Sequence, residues 1–214
     1  MMPPELLDAA EHTTGFMPTA EGIALHEAAL DALPRGPVLE VGTYCGRSTI
    51  FLAAAAREVG GRVVTVDHHR GSEEHQVGWE YHDPALTDEH GRVDTLARFR
   101  RTLAECGLEP YVIAVVGRSA DVAEVWHSPL GMVFVDGGHT DEAAKADFEG
   151  WAHRIVRHGL LVIHDVFPDP ADGGQAPYGI YRRALDGGSF VERRAEGSLR
   201  VLQRVHGDAG DALP

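Results

Sequence analysis

Two groups of residues in this chain have types and spacings suited to chemistry. The first is Glu40-Val41-Gly42-Thr43-Tyr44-Cys45-Gly46-Arg47-Ser48, a glycine turn at the end of a short apolar run. Glycines in such a turn let backbone N–H groups approach a ligand closely. Asp67 ends the next apolar run, about 25 positions after Gly42. That is near the offset of about 20 residues at which an acid accepts hydrogen bonds from a ribose. Either feature alone reads as a structural turn or a surface acid; together, in order and at strand ends, they point to a nucleoside. A dinucleotide fingerprint would need glycines where the chain has Tyr44 and Arg47, and those side chains crowd the approach a pyrophosphate requires. The second group closes two later apolar runs, Val133-Phe134-Val135-Asp136 and Leu161-Val162-Ile163-His164-Asp165. A buried strand that ends in a carboxylate must satisfy that charge, and a metal ion does so well.

These residues need a scaffold that gathers them, and the apolar pattern supplies one. Strand-like and helix-like segments alternate, which predicts an α/β fold with a mostly parallel sheet covered by helices on both faces. Helices are expected over 20–33, 48–59, 94–106, 120–125, 141–157 and 178–185. Strands are expected over 38–41, 62–66, 111–116, 131–135 and 160–163, with 189–193 and 198–204 as a closing antiparallel hairpin. In open sheets of this kind ligands bind beyond the carboxyl ends of the strands, so Gly42, Asp67, Asp136 and His164 should share one edge. Residues 68–91 show no steady period and read as a long lid rich in His, Glu and Gly. His69, Glu73 and His75 lack a recognised metal spacing, and Trp126 and Trp151 read as packing residues. Residues 206–214 read as a frayed tail, and 1–36 as an N-terminal helical cap on a single domain.

The stretch from Glu40 to Thr49 resembles the first motif of class I methyltransferases, especially the catechol O-methyltransferase-like and macrocin O-methyltransferase-like groups. The resemblance covers the ordered elements from about 38 to 204, and residues 68–91 fall outside it. It implies one Rossmann-like domain with a seven-stranded sheet and S-adenosylmethionine as cofactor. Glu40, Gly42, Thr43 and Ser48, with Gly46 in the same turn, would surround the methionine part. Asp67 would hold the ribose hydroxyls with His68 beside it, and Gly117-Arg118-Ser119-Ala120 would lie against adenine. Ser119 reads equally as a plain helix cap.

The same resemblance implies a divalent metal, with Asp136, His164 and Asp165 in the three ligand positions and Asp136 also bordering the cofactor. Relatives usually carry Asp where this chain has His164; an imidazole ligand shifts preference from magnesium towards manganese, iron or another transition ion. The alternative is that His164 turns away and no metal is held. His139 stands where catechol O-methyltransferase-like enzymes carry a basic lysine, and imidazole titrates near neutrality, which suits a base. It reads equally as a fourth ligand or a cap for the helix near Thr140. The expected reaction is metal-assisted methylation of a small-molecule hydroxyl of natural-product type. Relatives with lids often pair, so a homo-oligomer is also an expectation.

Composition narrows the field further. The chain carries 33 acidic against 19 basic side chains, a formal charge of −14. A nucleic acid would meet net repulsion, and Arg98, Arg100 and Arg101 form only a short basic patch, so small molecules are the expected partners. Apolar runs are too short for a membrane span. Two cysteines form no disulfide framework, and the first residues lack the order of a signal peptide, so a cytoplasmic protein is expected. An NAD-linked oxidoreductase on a similar fold and a metal-dependent hydrolase are the competing expectations. The first must contend with Tyr44 and Arg47, the second with an unneeded Asp67.

Overall fold

The computed structural model of the chain describes residues 2–79, 81–138 and 140–214. Its helices and strands run α1 (Pro4–His12), α2 (Thr19–Ala32), β1 (Val38–Val41), α3 (Arg47–Val59), β2 (Val63–Asp67), α4 (Leu96–Glu105) and β3 (Val112–Val116). They continue with α5 (Ser119–Val125), β4 (Leu130–Val135), α6 (Asp141–Trp151), β5 (Ile155–Ile163), α7 (Ala176–Asp186), β6 (Phe190–Glu196) and β7 (Leu199–Arg204). Among the described residues the strands form one seven-stranded sheet in the order β3-β2-β1-β4-β5-β7-β6. Strands β1 to β5 are mutually parallel, and β7 and β6 close the sheet as an antiparallel hairpin. The expected fold class is the one observed.

Alternation along the strands splits the core in two, because successive side chains point to opposite faces. Val38, Met132, Phe134, Leu160 and Val162 pack with α1 to α4, while Leu39, Val41, Val133, Val135, Leu161 and Ile163 pack with α6 and α7. Close helix approach is written into the sequence. A Cβ on Gly22 of α2 would stand 2.3 Å from the ring of Phe51 in α3, so only glycine lets these two helices meet. Helix α3 runs on Ala53 to Ala56, strong helix formers, and stops at Gly60 in the left-handed conformation (φ 75°).

The structure corrects the expected boundaries at three places. The helix expected over 141–157 ends at Trp151; a 3-10 turn follows over Ala152–Arg154, and β5 begins at Ile155. Ile155 and Val156 continue the helical period, but Ile155 pairs with Leu130 of β4 and the register then jumps to Met132 with Leu160. Sheet pairing thus overrides local pattern, with residues 156–159 taken up as a bulge. Helix α1, which the apolar pattern does not announce, docks Leu6 and Ala10 on the core. The tail expected to fray is tied down: the buried Arg204 guanidinium donates to the carbonyls of His206 and Asp211, and the Gly210 amide donates to the His153 carbonyl.

Segment 68–91 is folded as a lid of turns, with 3-10 turns at Glu73–His75 and Pro84–Leu86. Arg70 pins it by ion pairs to Asp88 and Asp94, both at 3.2 Å. No helix among the described residues is long and apolar enough to cross a membrane.

Candidate functional site

The carboxyl ends of β2, β1 and β4 lie side by side and carry the residues expected to hold a nucleoside. Val41 is in register with Val66 on one side and Val135 on the other, so Asp67 and Asp136 emerge on the same edge, flanking Gly42. Gly42 adopts φ +85°, and a Cβ there would stand 2.0 Å from the carbonyl oxygen of Asp136, so the turn admits nothing larger than glycine. The Asp67 carboxylate holds the turn open: Oδ2 accepts the amides of Thr43 (2.8 Å) and Tyr44 (2.9 Å), and Oδ1 accepts the amide of His69 (2.7 Å). A carboxylate has about four lone-pair positions, so one remains for a ligand hydroxyl. The Thr43 hydroxyl is buried in this turn with no hydrogen-bond partner among the described residues.

Other expected cofactor residues serve the turn from behind. Glu40 is fully buried, and its oxygens accept from Ser48 Oγ and Thr49 Oγ1, each at 2.6 Å. Burial pushes its carboxyl up to about 8, more than the two hydroxyl donors pull it down, so at neutral pH it is the protonated acid. Gly46 takes φ +93° at the start of α3, and a Cβ there would meet the Phe99 ring at 3.0 Å, so its smallness serves packing against α4. His68 is exposed and accepts the Arg70 amide on Nδ1. Its neighbour His69 is the buried one, bonded through Nδ1 to Thr95 Oγ1 at 2.8 Å.

The turn expected against adenine hangs beside Asp67, because the Gly117 amide donates to the Asp67 carbonyl. Arg118 is exposed. Ser119 opens α5 without capping it; instead its Oγ accepts the Trp151 indole N–H at 2.7 Å and is hydrogen-bonded to Asp147. Burial raises the Asp147 carboxyl to about 6 against the pull of that Ser119 bond. Trp151 is fully buried, the packing residue expected, and Trp126 meets it edge-on at 5.9 Å. The lid lays His75 over Tyr44 (4.8 Å between rings) and Tyr81 against Phe16 (5.1 Å), an aromatic patch beside the glycine turn.

The second group converges on the same edge. Donor atoms of Asp136, His164 and Asp165 all lie within 4.8 Å of one another. His164 is buried, with Nδ1 2.9 Å from Asp136 Oδ1 and 3.5 Å from Asp165 Oδ2, while Nε2 lies 2.7 Å from Glu21 Oε2. Burial works against its charge, but Asp136, Glu21 and Asp165 outweigh that and raise the imidazole to about 11. His164 therefore faces the acids and does not turn away. Sequence reasoning missed Glu21; the signal was an acid in the small, apolar run Gly22-Ile23-Ala24-Leu25 of α2. His139 lies outside the described residues. The donor atoms of His69, Glu73 and His75 form no cluster among the described residues.

Known proteins resemble this chain in sequence and in fold. The family described as a methyltransferase domain matches residues 39–166, from β1 through the end of β5. A catechol O-methyltransferase of Niastella koreensis is 26% identical over 132 residues, which cover 60% of this chain and 48% of that protein. The chain thus spans about half the length of the curated relative it matches. Among solved structures, the O-methyltransferase TomG of Streptomyces achromogenes, involved in tomaymycin synthesis and bound to S-adenosylmethionine, superposes with a TM-score of 0.60 at 19% identity. That likeness covers 95% of this chain and 91% of TomG. The O-methyltransferase of Bacillus cereus, bound to S-adenosylhomocysteine, gives a TM-score of 0.60 at 18% identity over 94% of this chain and 87% of that one. These likenesses favour neither an NAD-linked oxidoreductase nor a hydrolase. With the family match running across the glycine turn, Asp67, Asp136 and the His164-Asp165 pair, the chain belongs to the methyltransferase domain family.

Proposed function

We propose that this protein transfers the methyl group of S-adenosylmethionine to a hydroxyl of a small molecule, assisted by a divalent cation at Asp136, His164 and Asp165. The observation that carries this reading is the convergence of two sites on one strand edge. The Gly42 turn with Asp67 and the Asp136–His164–Asp165 cluster meet at Asp136, whose amide donates to the Val41 carbonyl just before Gly42. The nucleoside fits on two counts: Thr43 Oγ1 is buried without a partner among the described residues, and Asp67 keeps a lone pair for a ribose hydroxyl. The cation fits the donor set, since ligand atoms of two carboxylates and one imidazole lie within 4.8 Å of one another. An imidazole in that set favours manganese, iron or another transition ion over magnesium. The named activities of the catechol relative and of TomG support a small-molecule hydroxyl as acceptor.

In the transfer, an acceptor oxygen attacks the methyl carbon in line, the carbon–sulfur bond breaks, its electron pair stays on sulfur, and the hydroxyl proton leaves to a base. Holding the reactants in that geometry supplies several kcal/mol of the barrier. A divalent cation, when bound, lowers the pKa of an acceptor hydroxyl and fixes its oxygen. Asp67, Thr43 and the turn at Gly117–Ser119 bind and orient the nucleoside. Glu40 and Ser48 hold the turn in place, and the Phe16–Tyr44–His75–Tyr81 patch narrows the entrance and excludes water. His139, three residues beyond Asp136, is proposed to take the proton. Metal-stripped protein assayed with a phenolic acceptor, with and without added Mn²⁺, tests the reading: turnover should fall by about 10²-fold or more without the ion, since the ion both acidifies and positions the oxygen. Full turnover in a verified metal-free preparation would remove the cation from the mechanism.

A further inference from the structure

Glu21 joins three distant parts of the chain at the catalytic edge. It sits in α2, 5% exposed, with Oε2 2.7 Å from His164 Nε2 and 3.1 Å from Ser198 Oγ. Its other oxygen, Oε1, accepts the Ser198 amide at 2.8 Å. The turn between β6 and β7 closes directly on this carboxylate: Gly197 has φ +52°, and a Cβ there would stand 2.1 Å from Glu21 Oε1. With Nε2 committed to Glu21, the ring nitrogen that faces Asp136 and Asp165 is Nδ1. An imidazole binds a cation through a lone pair, and which nitrogen offers it is set by the hydrogen bond the other one makes.

We propose that Glu21 is a positioning residue that holds the His164 ring by its Nε2–H, so that Nδ1, which donates to Asp136 in the metal-free site, is the nitrogen offered to a transition-type divalent cation alongside Asp136 and Asp165. This rests on the cation reading above and adds a residue from a helix that carries none of the expected ligands. The geometry also dictates a sharp substitution. In Glu21→Gln the side-chain volume is kept, but the Ser198 amide still needs an oxygen opposite it. The amide NH₂ is then left facing His164, where it opposes a proton on Nε2 and favours keeping the one on Nδ1, the nitrogen a cation needs bare.

The test is Mn²⁺ binding by calorimetry to the full, metal-stripped chain, for wild type, Glu21→Gln, His164→Asp and the double variant. Glu21→Gln should weaken Mn²⁺ binding about 10- to 100-fold, the usual effect of losing an outer partner of a metal-bound histidine. Its affinity for S-adenosylhomocysteine should not change. In the His164→Asp background the same substitution should cause no loss, because the amide can donate to the introduced carboxylate. An equal loss in both backgrounds would mean that Glu21 merely supports the fold, and unchanged Mn²⁺ binding in Glu21→Gln would overturn its role while leaving the cation reading intact. A wild type that takes up no Mn²⁺ would overturn both. Wild-type protein labelled with ¹⁵N-histidine and loaded with zinc gives a check that needs no variant: a protonated Nε2 and a ligated Nδ1 support the assignment, and the reverse pattern overturns it.

Discussion

At the scale of single residues, the site depends on carboxyl groups that are similar in type and differently surrounded. Asp67 accepts three backbone amides, whereas Glu40 has only two hydroxyl donors in a fully buried place and is held protonated at neutral pH. Removing the first should undo the glycine turn and the ribose contact together. Asp67→Ala is expected to weaken S-adenosylhomocysteine binding by about 10- to 100-fold, the worth of a lost hydrogen bond to a charged group, as read by calorimetry. Glu40 behaves differently. Its folded carboxyl sits at about 8 against the ordinary 4.5 of a free glutamate, so its stabilising contribution is complete below pH 4.5 and is lost as pH climbs through 8. Glu40→Gln, which mimics the protonated acid, should therefore raise the melting temperature more at pH 9 than at pH 6; equal shifts at the two pH values would contradict the buried neutral state.

At the scale of elements, the strand ends act as a register that brings distant residues to one line. Gly42 is the tightest point of that line, with its neighbour strand's Asp136 carbonyl where a side chain would begin. Gly42→Ala should lower stability by at least about 1 kcal/mol through its positive φ alone, with the β1–β4 contact adding to it. Thermal melting and S-adenosylhomocysteine binding should both fall. Much of this was legible in the sequence, because parallel strands that end in acids bring those acids to one side: Asp67, Asp136 and His164-Asp165 lie on one edge, as the parallel pattern required. What was hidden depends on contacts between elements. The Glu21–Ser198 bond links residues 177 positions apart, and the Ser119–Trp151 bond links residues 32 apart, so no local pattern could reveal either. The early start of β5 was hidden for the same reason, since Ile155 suits a helix until Leu130 is placed beside it.

At the scale of the whole molecule, the sheet is closed by its last hairpin, and the chain's end secures that closure. Arg204 of β7 is 1% exposed and donates to the carbonyls of His153, Ile155, His206 and Asp211. Deleting residues 206–214 leaves part of a buried guanidinium without acceptors, at a cost of about 1–3 kcal/mol, which urea denaturation should register as a lower midpoint. The N-terminal helices close the molecule from the other side, since α2 carries Glu21 to the catalytic edge and Phe16 meets the lid. The proposed cofactor turn, the His164 edge and segment 68–91 therefore belong to one folded unit. Calorimetric titration of the intact protein with S-adenosylhomocysteine and, separately, with NAD asks directly what that unit holds. Saturable binding of the first at one site per chain, weakened in Asp67→Ala, is the predicted result; binding of NAD with no heat from S-adenosylhomocysteine would contradict it.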